Sequence, residues 1–166
     1  MKTKGFTLIE LIVIVGILSL LSAYLVTYSK TGEKQIVFFK EQNILTSAIF
    51  RAKNLAVSTY GRGSANSCGY GIHFNLGTPQ EIIIFSDLTS GSDCSRANKA
   101  YSLNENIEKI VLDSRVRITN SPRDFIFIPP DPTVYPSGGV VINLELNDRS
   151  KSAVVSVSGS GQITVK

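Results

Sequence analysis

Lys4-Gly5-Phe6-Thr7-Leu8-Ile9-Glu10 opens an apolar run that continues from Leu11 to Val26. From Phe6 to Val26 there are 21 residues; at ~1.5 Å of rise each, a helix of them is about 31 Å long, close to the hydrocarbon thickness of a bilayer. The segment can span a membrane. Lys2 and Lys4 sit just before it, so positive-inside logic places Met1 to Gly5 in the cytoplasm and everything after Val26 outside. Its one charge is Glu10, four residues past Phe6. An ionised carboxylate in hydrocarbon costs up to ~2.5–3.5 kcal/mol at a helix centre and less near an end, so an acid here calls for a partner. A secretory signal peptide fits less well, because Leu21-Ser22-Ala23 puts a bulky Leu where a small residue is wanted and the run exceeds a typical h-region.

A basic leader, a Gly-Phe junction and an acid a few residues into an apolar helix resemble the type IV prepilin signature, carried here by Lys4 to Glu10. The resemblance implies cleavage after Gly5 by a prepilin peptidase and N-methylation of the new terminus, Phe6. It also implies that Glu10 pairs with the Phe6 amine of a neighbouring subunit, and that the mature protein joins other pilins or pseudopilins in a filament. The implied location is the bacterial inner membrane, single-pass, and then the filament. The expected layout is a leader at 1–5, a membrane or filament-core helix at 6–26, its amphipathic continuation at 27–60 and a β-rich head at 61–166.

Length and composition fit that layout. The 166 residues leave room for one anchor and one head domain of ordinary size. The formal charge of +4 includes Lys2 and Lys4; without them 15 basic residues face 13 acidic ones, too mild an excess to argue for nucleic acid by itself. Cys68 and Cys94 both fall on the oxidising side and are expected to form a disulfide. Two Cys and one His fall short of the four ligands of a structural zinc site, and no cofactor motif is present.

After Val26 the helical period persists. Ile36, Phe39, Ile44, Leu45, Ala48, Ala52, Leu55 and Ala56 recur mostly at three- and four-residue steps, with Lys34, Lys40, Glu41, Arg51 and Lys53 between them. No proline interrupts Phe6 to Tyr60, so one helix of about 50 residues is predicted, with a soft point at Thr31-Gly32 and a stop at Gly61. Past Gly61 the period shortens, and strands are predicted at 71–76, 81–85, 107–112, 115–119, 125–128, 140–146, 153–158 and 162–165. The last two form a hairpin with Gly at its turn. An antiparallel sheet needs its apolar face covered, and the second half of the long helix is the amphipathic helix available. The predicted fold class is therefore α+β, a long N-terminal helix packed on an antiparallel sheet. Within the pilin-like families, Phe127-Ile128-Pro129 and the closing Val-Ser-Gly-Ser-Gly-Gln-Ile hairpin look most like minor pseudopilins of the GspH/FimT type. The Trp often found just before the first strand is absent, the chain having Cys68-Gly69-Tyr70-Gly71 there.

Other stretches carry weaker signals. Gly69-Tyr70-Gly71 precedes a strand rather than opening a helix, so turn glycines are read there and not a phosphate loop. Asp87 to Asp93 has two acids and a glycine but lacks the EF-hand spacing, and reads as a solvated loop. Pro129 to Pro132 reads as a rigid turn. His73 alternates with Ile72 and Phe74 and is expected at the surface; no nucleophile motif accompanies it, so an enzyme is not predicted. Two functions from different classes remain. The first is structural, a minor pilin or pseudopilin polymerised through its helix. The second is capture of DNA by the head, for which Arg115, Arg117, Arg123, Arg149, Lys151 and Lys166 are the candidate phosphate contacts, although Asp113, Asp124, Glu145 and Asp148 are interleaved with them.

Overall fold

The computed structural model describes residues 7–59, 67–77, 79–89 and 93–166, the side chains at 27, 30 and 31 excepted. Gly5, Phe6 and Gly61 lie outside the described residues. Helix α1 runs Leu8–Thr59 without a break at Thr31-Gly32. Contacts divide the chain into Met1–Ile36 and Val37–Lys166.

In the first unit Thr7 is the residue just before the helix, and Leu8–Val26 is long and apolar enough to cross a membrane, with a mean hydropathy of 2.5. Its large side chains are exposed in the isolated chain. Among the described residues, Glu10 is the only charge from Leu8 to Val26.

The second unit holds the core. Among the described residues nine strands follow the helix: β1 (Ser67–Asn75), β2 (Glu81–Leu88), β3 (Asn106–Val111), β4 (Val116–Asn120), β5 (Asp124–Ile128), β6 (Thr133–Tyr135), β7 (Val140–Leu146), β8 (Ser152–Val157) and β9 (Ile163–Val165). They pair antiparallel in two sheets, β3-β2-β1-β5-β6 and β4-β7-β8-β9. β6 was not among the predicted strands; it follows the Pro129 to Pro132 turn and pairs with β5 through three residues. Alternation sets the faces. Even-numbered residues of β1 and β2 and odd-numbered ones of β5 (Ile72, Phe74, Ile82, Ile84, Phe125, Phe127) join Ile142, Leu144, Val155 and Val157 of the other sheet in one apolar cluster with the helix.

The helical side facing that cluster is Val37, Phe38, Leu45, Ala48, Ile49, Ala52 and Ala56, with Glu41 among them at 1% exposure. Ile36 and Phe39, expected on that side, are 71% and 51% exposed. A charge sits on the inward stripe, and a reading that keeps charges outward is turned away from the true face. Glu41 Oε1 is 3.4 Å from Lys40 Nζ, while Oε2 has no hydrogen-bond partner among the described residues.

The opposite face of the five-stranded sheet is also covered. Ile83, Phe85 and Ile126 are buried there, beneath a segment running from Asp93 to Glu105 whose Tyr101 ring lies 5.6 Å from Phe85 and 4.3 Å from His73. The glycines of Gly69-Tyr70-Gly71 are strand residues rather than turn residues. A Cβ at Gly71 would come within 2.7 Å of the Phe85 ring and 2.8 Å of Ile126, so this face closes only over a glycine.

Candidate functional site

Thr7 and Glu10 are joined reciprocally. The Thr7 N–H and hydroxyl donate to Glu10 Oε2 at 3.0 and 2.9 Å, and the Glu10 N–H donates to Thr7 Oγ1 at 3.3 Å. This is a capping box: Thr at N-cap and Glu at N3 satisfy backbone donors that the first turn leaves open. The pattern Thr-x-x-Glu is visible in the sequence, and it gives Glu10 an intramolecular role beside the intermolecular one that the resemblance implies. Both of its hydrogen bonds from Thr7 fall on Oε2.

Cys68 and Cys94 form a disulfide, with 5.3 Å between their Cα atoms. Cys68 is a residue of β1 rather than of the loop before it, and Cys94 opens a single 3-10 turn, Cys94–Arg96. The bond therefore fastens the covering segment to the sheet beneath it.

That segment also encloses two carboxylates. Glu105 accepts from Leu88 N at 3.0 Å and from Ser102 N at 2.7 Å. Asp87, expected in a solvated loop, is instead a β2 residue 1% exposed, with Oδ1 unpartnered. Burial, and next the charge of Glu105, push its pKa from 3.8 up to about 6, against a hydrogen bond from the Lys99 backbone and the Lys99 charge. Because the folded state holds this proton more tightly than the unfolded chain, Asp87 lowers stability progressively as pH rises from about 4 to about 6, by ~2–3 kcal/mol once ionised. Asp113 works the other way. Hydrogen bonds from Arg115 hold it at about 2, so the stability it contributes is lost only as pH falls below its ordinary 3.8. The urea midpoint should therefore rise as pH is lowered from 7 to about 4.5, and Asp87→Asn should raise the value at pH 7 and flatten the rise. Parallel pH profiles for the two proteins would contradict the assignment.

The basic residues are not one patch. Arg115 precedes β4 rather than lying in it, and its guanidinium is bound to Asp113 at 2.9 and 3.0 Å. Arg117 is paired with Glu145 across β4 and β7, its Nε donating at 2.7 Å. The charges of Arg115 and Arg117 are thus already matched. Arg149 sits at φ 57° in the tight turn between β7 and β8, where its N–H donates to Leu146 O at 2.8 Å. Lys151 lies over the Phe39 ring, 5.1 Å from its centre, and shares a groove with Lys166. Arg123 lines a different cavity.

His73 is buried, contrary to expectation. Its Nδ1 is 2.6 Å from Asp124 Oδ1, its β5 partner in register, and Tyr101 covers its ring. No group of three or more His, Cys, Asp or Glu able to hold a metal occurs among the described residues.

Residues 1–26 match the family model described as the prokaryotic N-terminal methylation motif. The motif thus stands ahead of an α+β fold of a long helix and antiparallel sheets. Among solved structures it is similar to the minor pseudopilin EpsH from the Type 2 Secretion System of Vibrio cholerae, at 8% identity, over 77% of this chain and 94% of that one, with a TM-score of 0.45. A search of curated proteins found no match in sequence.

Proposed function

We propose that this chain is a minor pseudopilin or minor pilin, a non-enzymatic subunit of a type II secretion pseudopilus or type IV pilus. In this reading prepilin peptidase removes residues 1–5, Phe6 becomes the methylated terminus, and Leu8–Val26 holds the subunit in the inner membrane with its head outside until it enters the filament. The observation that carries the reading is the match of residues 1–26 to the methylation motif, continuous with a helix that is apolar to Val26 and interrupted by one acid. The alternative, capture of DNA by the head, draws less support. Arg115 and Arg117 are held by carboxylates, and Arg123 lies apart from the groove of Lys151 and Lys166.

Mass spectrometry of the N-terminal peptide from membranes is the direct test. The expected terminus is Phe6 carrying one methyl group; an intact Met1, or a start at Tyr24, would overturn the reading.

A further inference from the structure

The second unit takes up the helix at Val37, and the first helical turns inside it form one wall of a groove of about 420 Å³ with Phe38, Phe39 and Gln42. The other wall is Ser150 to Ala153, from the turn between β7 and β8 into β8, together with Lys166. The groove therefore lies at the end of the head by which the chain enters it.

Charge at this end is unbalanced. Arg149, Lys151 and Lys166 have no carboxylate within ion-pair reach among the described residues, whereas Lys40, Arg51, Lys109, Arg115 and Arg117 each have one. The acid of the turn, Asp148, accepts from the Ser150 N–H and hydroxyl at 3.0 and 2.6 Å. Two of the three cations are carried on hydrogen-bonded backbone: Lys166 exchanges bonds with Val154 at 2.9 Å, and the Arg149 N–H donates to Leu146 O at 2.8 Å. Phe39 adds an apolar element. Its ring is 51% exposed, and Lys151 Nζ stands 5.1 Å from its centre. Cations set around an exposed aromatic are the makeup of a surface that lies against lipid headgroups.

We infer that this end of the head docks on the anionic phospholipid headgroups of the membrane that the chain spans, an inference that rests on the anchored subunit proposed above. Lysine ammonium groups are point charges, which suit the mobile phosphodiesters of a lipid surface better than a partner needing fixed bidentate geometry. Each Lys or Arg brought to an anionic surface raises docked occupancy about five-fold, and Asp148 offsets part of that gain. Only residues 27–36 separate the membrane segment from the head, so the groove meets the bilayer as an intramolecular partner and a modest attraction suffices.

The test uses full-length protein in nanodiscs of phosphatidylcholine, with or without about one-third phosphatidylglycerol, each holding a trace of lipid with a nitroxide on its headgroup. Phosphatidylglycerol should raise the amide relaxation of Ser150 and Lys166 about three-fold or more, and that of Ser160, in the turn between β8 and β9, much less. Salt at about 0.5 M should abolish the rise. Lys151→Gln/Lys166→Gln should lower docked occupancy about 25-fold and relax as in phosphatidylcholine alone, while Arg123→Gln should behave like the wild type. Protein that does not stay with the discs overturns the anchored reading and this inference together. Retained protein that relaxes equally in the two lipids, or a double variant that relaxes like the wild type, overturns the inference alone. Groove amides that respond to a duplex oligonucleotide or to protein concentration, but not to phosphatidylglycerol, give the surface to nucleic acid or to a second copy and overturn it as well.

Discussion

Glu10→Gln is expected to be inserted into the membrane and cleaved after Gly5 like the wild type, yet to be depleted from filaments more than a hundred-fold. In the proposed membrane-bound monomer Glu10, in the first turn of α1, is shallow enough to reach headgroups and water, so the monomer tolerates it. In the proposed filament that escape is lost, and the cation expected beside the carboxylate is the Phe6 amine of the adjoining subunit. Removing one partner of a buried pair costs ~3–5 kcal/mol, which is the source of the expected depletion. The Thr7 box makes the experiment discriminating. Gln at N3 can still accept from the Thr7 N–H, so Glu10→Gln keeps the cap and loses only the charge. Thr7→Val does the reverse, costing about 1 kcal/mol of helix start while leaving the carboxylate in place. The measurement compares processed subunit in membranes with subunit in sheared filaments. If Thr7→Val is depleted and Glu10→Gln is not, Glu10 acts as a cap and the intermolecular pairing is wrong.

Cys68→Ala/Cys94→Ala should lower the stability of the head by about 3–4 kcal/mol. The bridge closes a loop of 26 residues of sequence separation, and the chain-entropy cost that it removes from the unfolded state is of that size. The effect should be local as well as global, because the bond fastens the segment that covers Asp87, Phe85 and His73. With the cover loosened, water reaches Asp87, the desolvation that raises its pKa weakens, and the acid-side rise in stability should shrink together with the urea midpoint. Full-length protein in micelles, unfolded in urea and followed by tyrosine fluorescence at pH 7 and 4.5, reads both effects. An unchanged midpoint in the double variant would show that the bridge contributes nothing to holding the cover.

Much of this architecture is legible from residue order. The apolar run and its acid mark the anchor, and β-rich runs between turn residues mark eight of the nine strands described, several of them by clean alternation. What alternation does not carry is partnership. A strand alternates identically whichever sheet it joins, so the division into two sheets, and with it the pairing of Arg117 to Glu145, depends on registers fixed only in three dimensions. His73 and Asp87 were misread for a related reason. Both are on the outward side of the sheet by parity, and burial came from a covering segment with no regular period to announce it. On the helix, Glu41 broke the pattern that would have singled out Val37 and Phe38 over Ile36 and Phe39.

Among the described residues, every member of the apolar core lies at Val37 or beyond. Head stability and anchor sequence can therefore evolve under separate pressures. In the proposed subunit, substitutions between Leu8 and Val26 would be screened by lipid and by neighbouring subunits, with no side chain of the core among them. Drift in the core is screened by folding alone, so a lineage can retain its membrane segment nearly letter for letter while its head diverges.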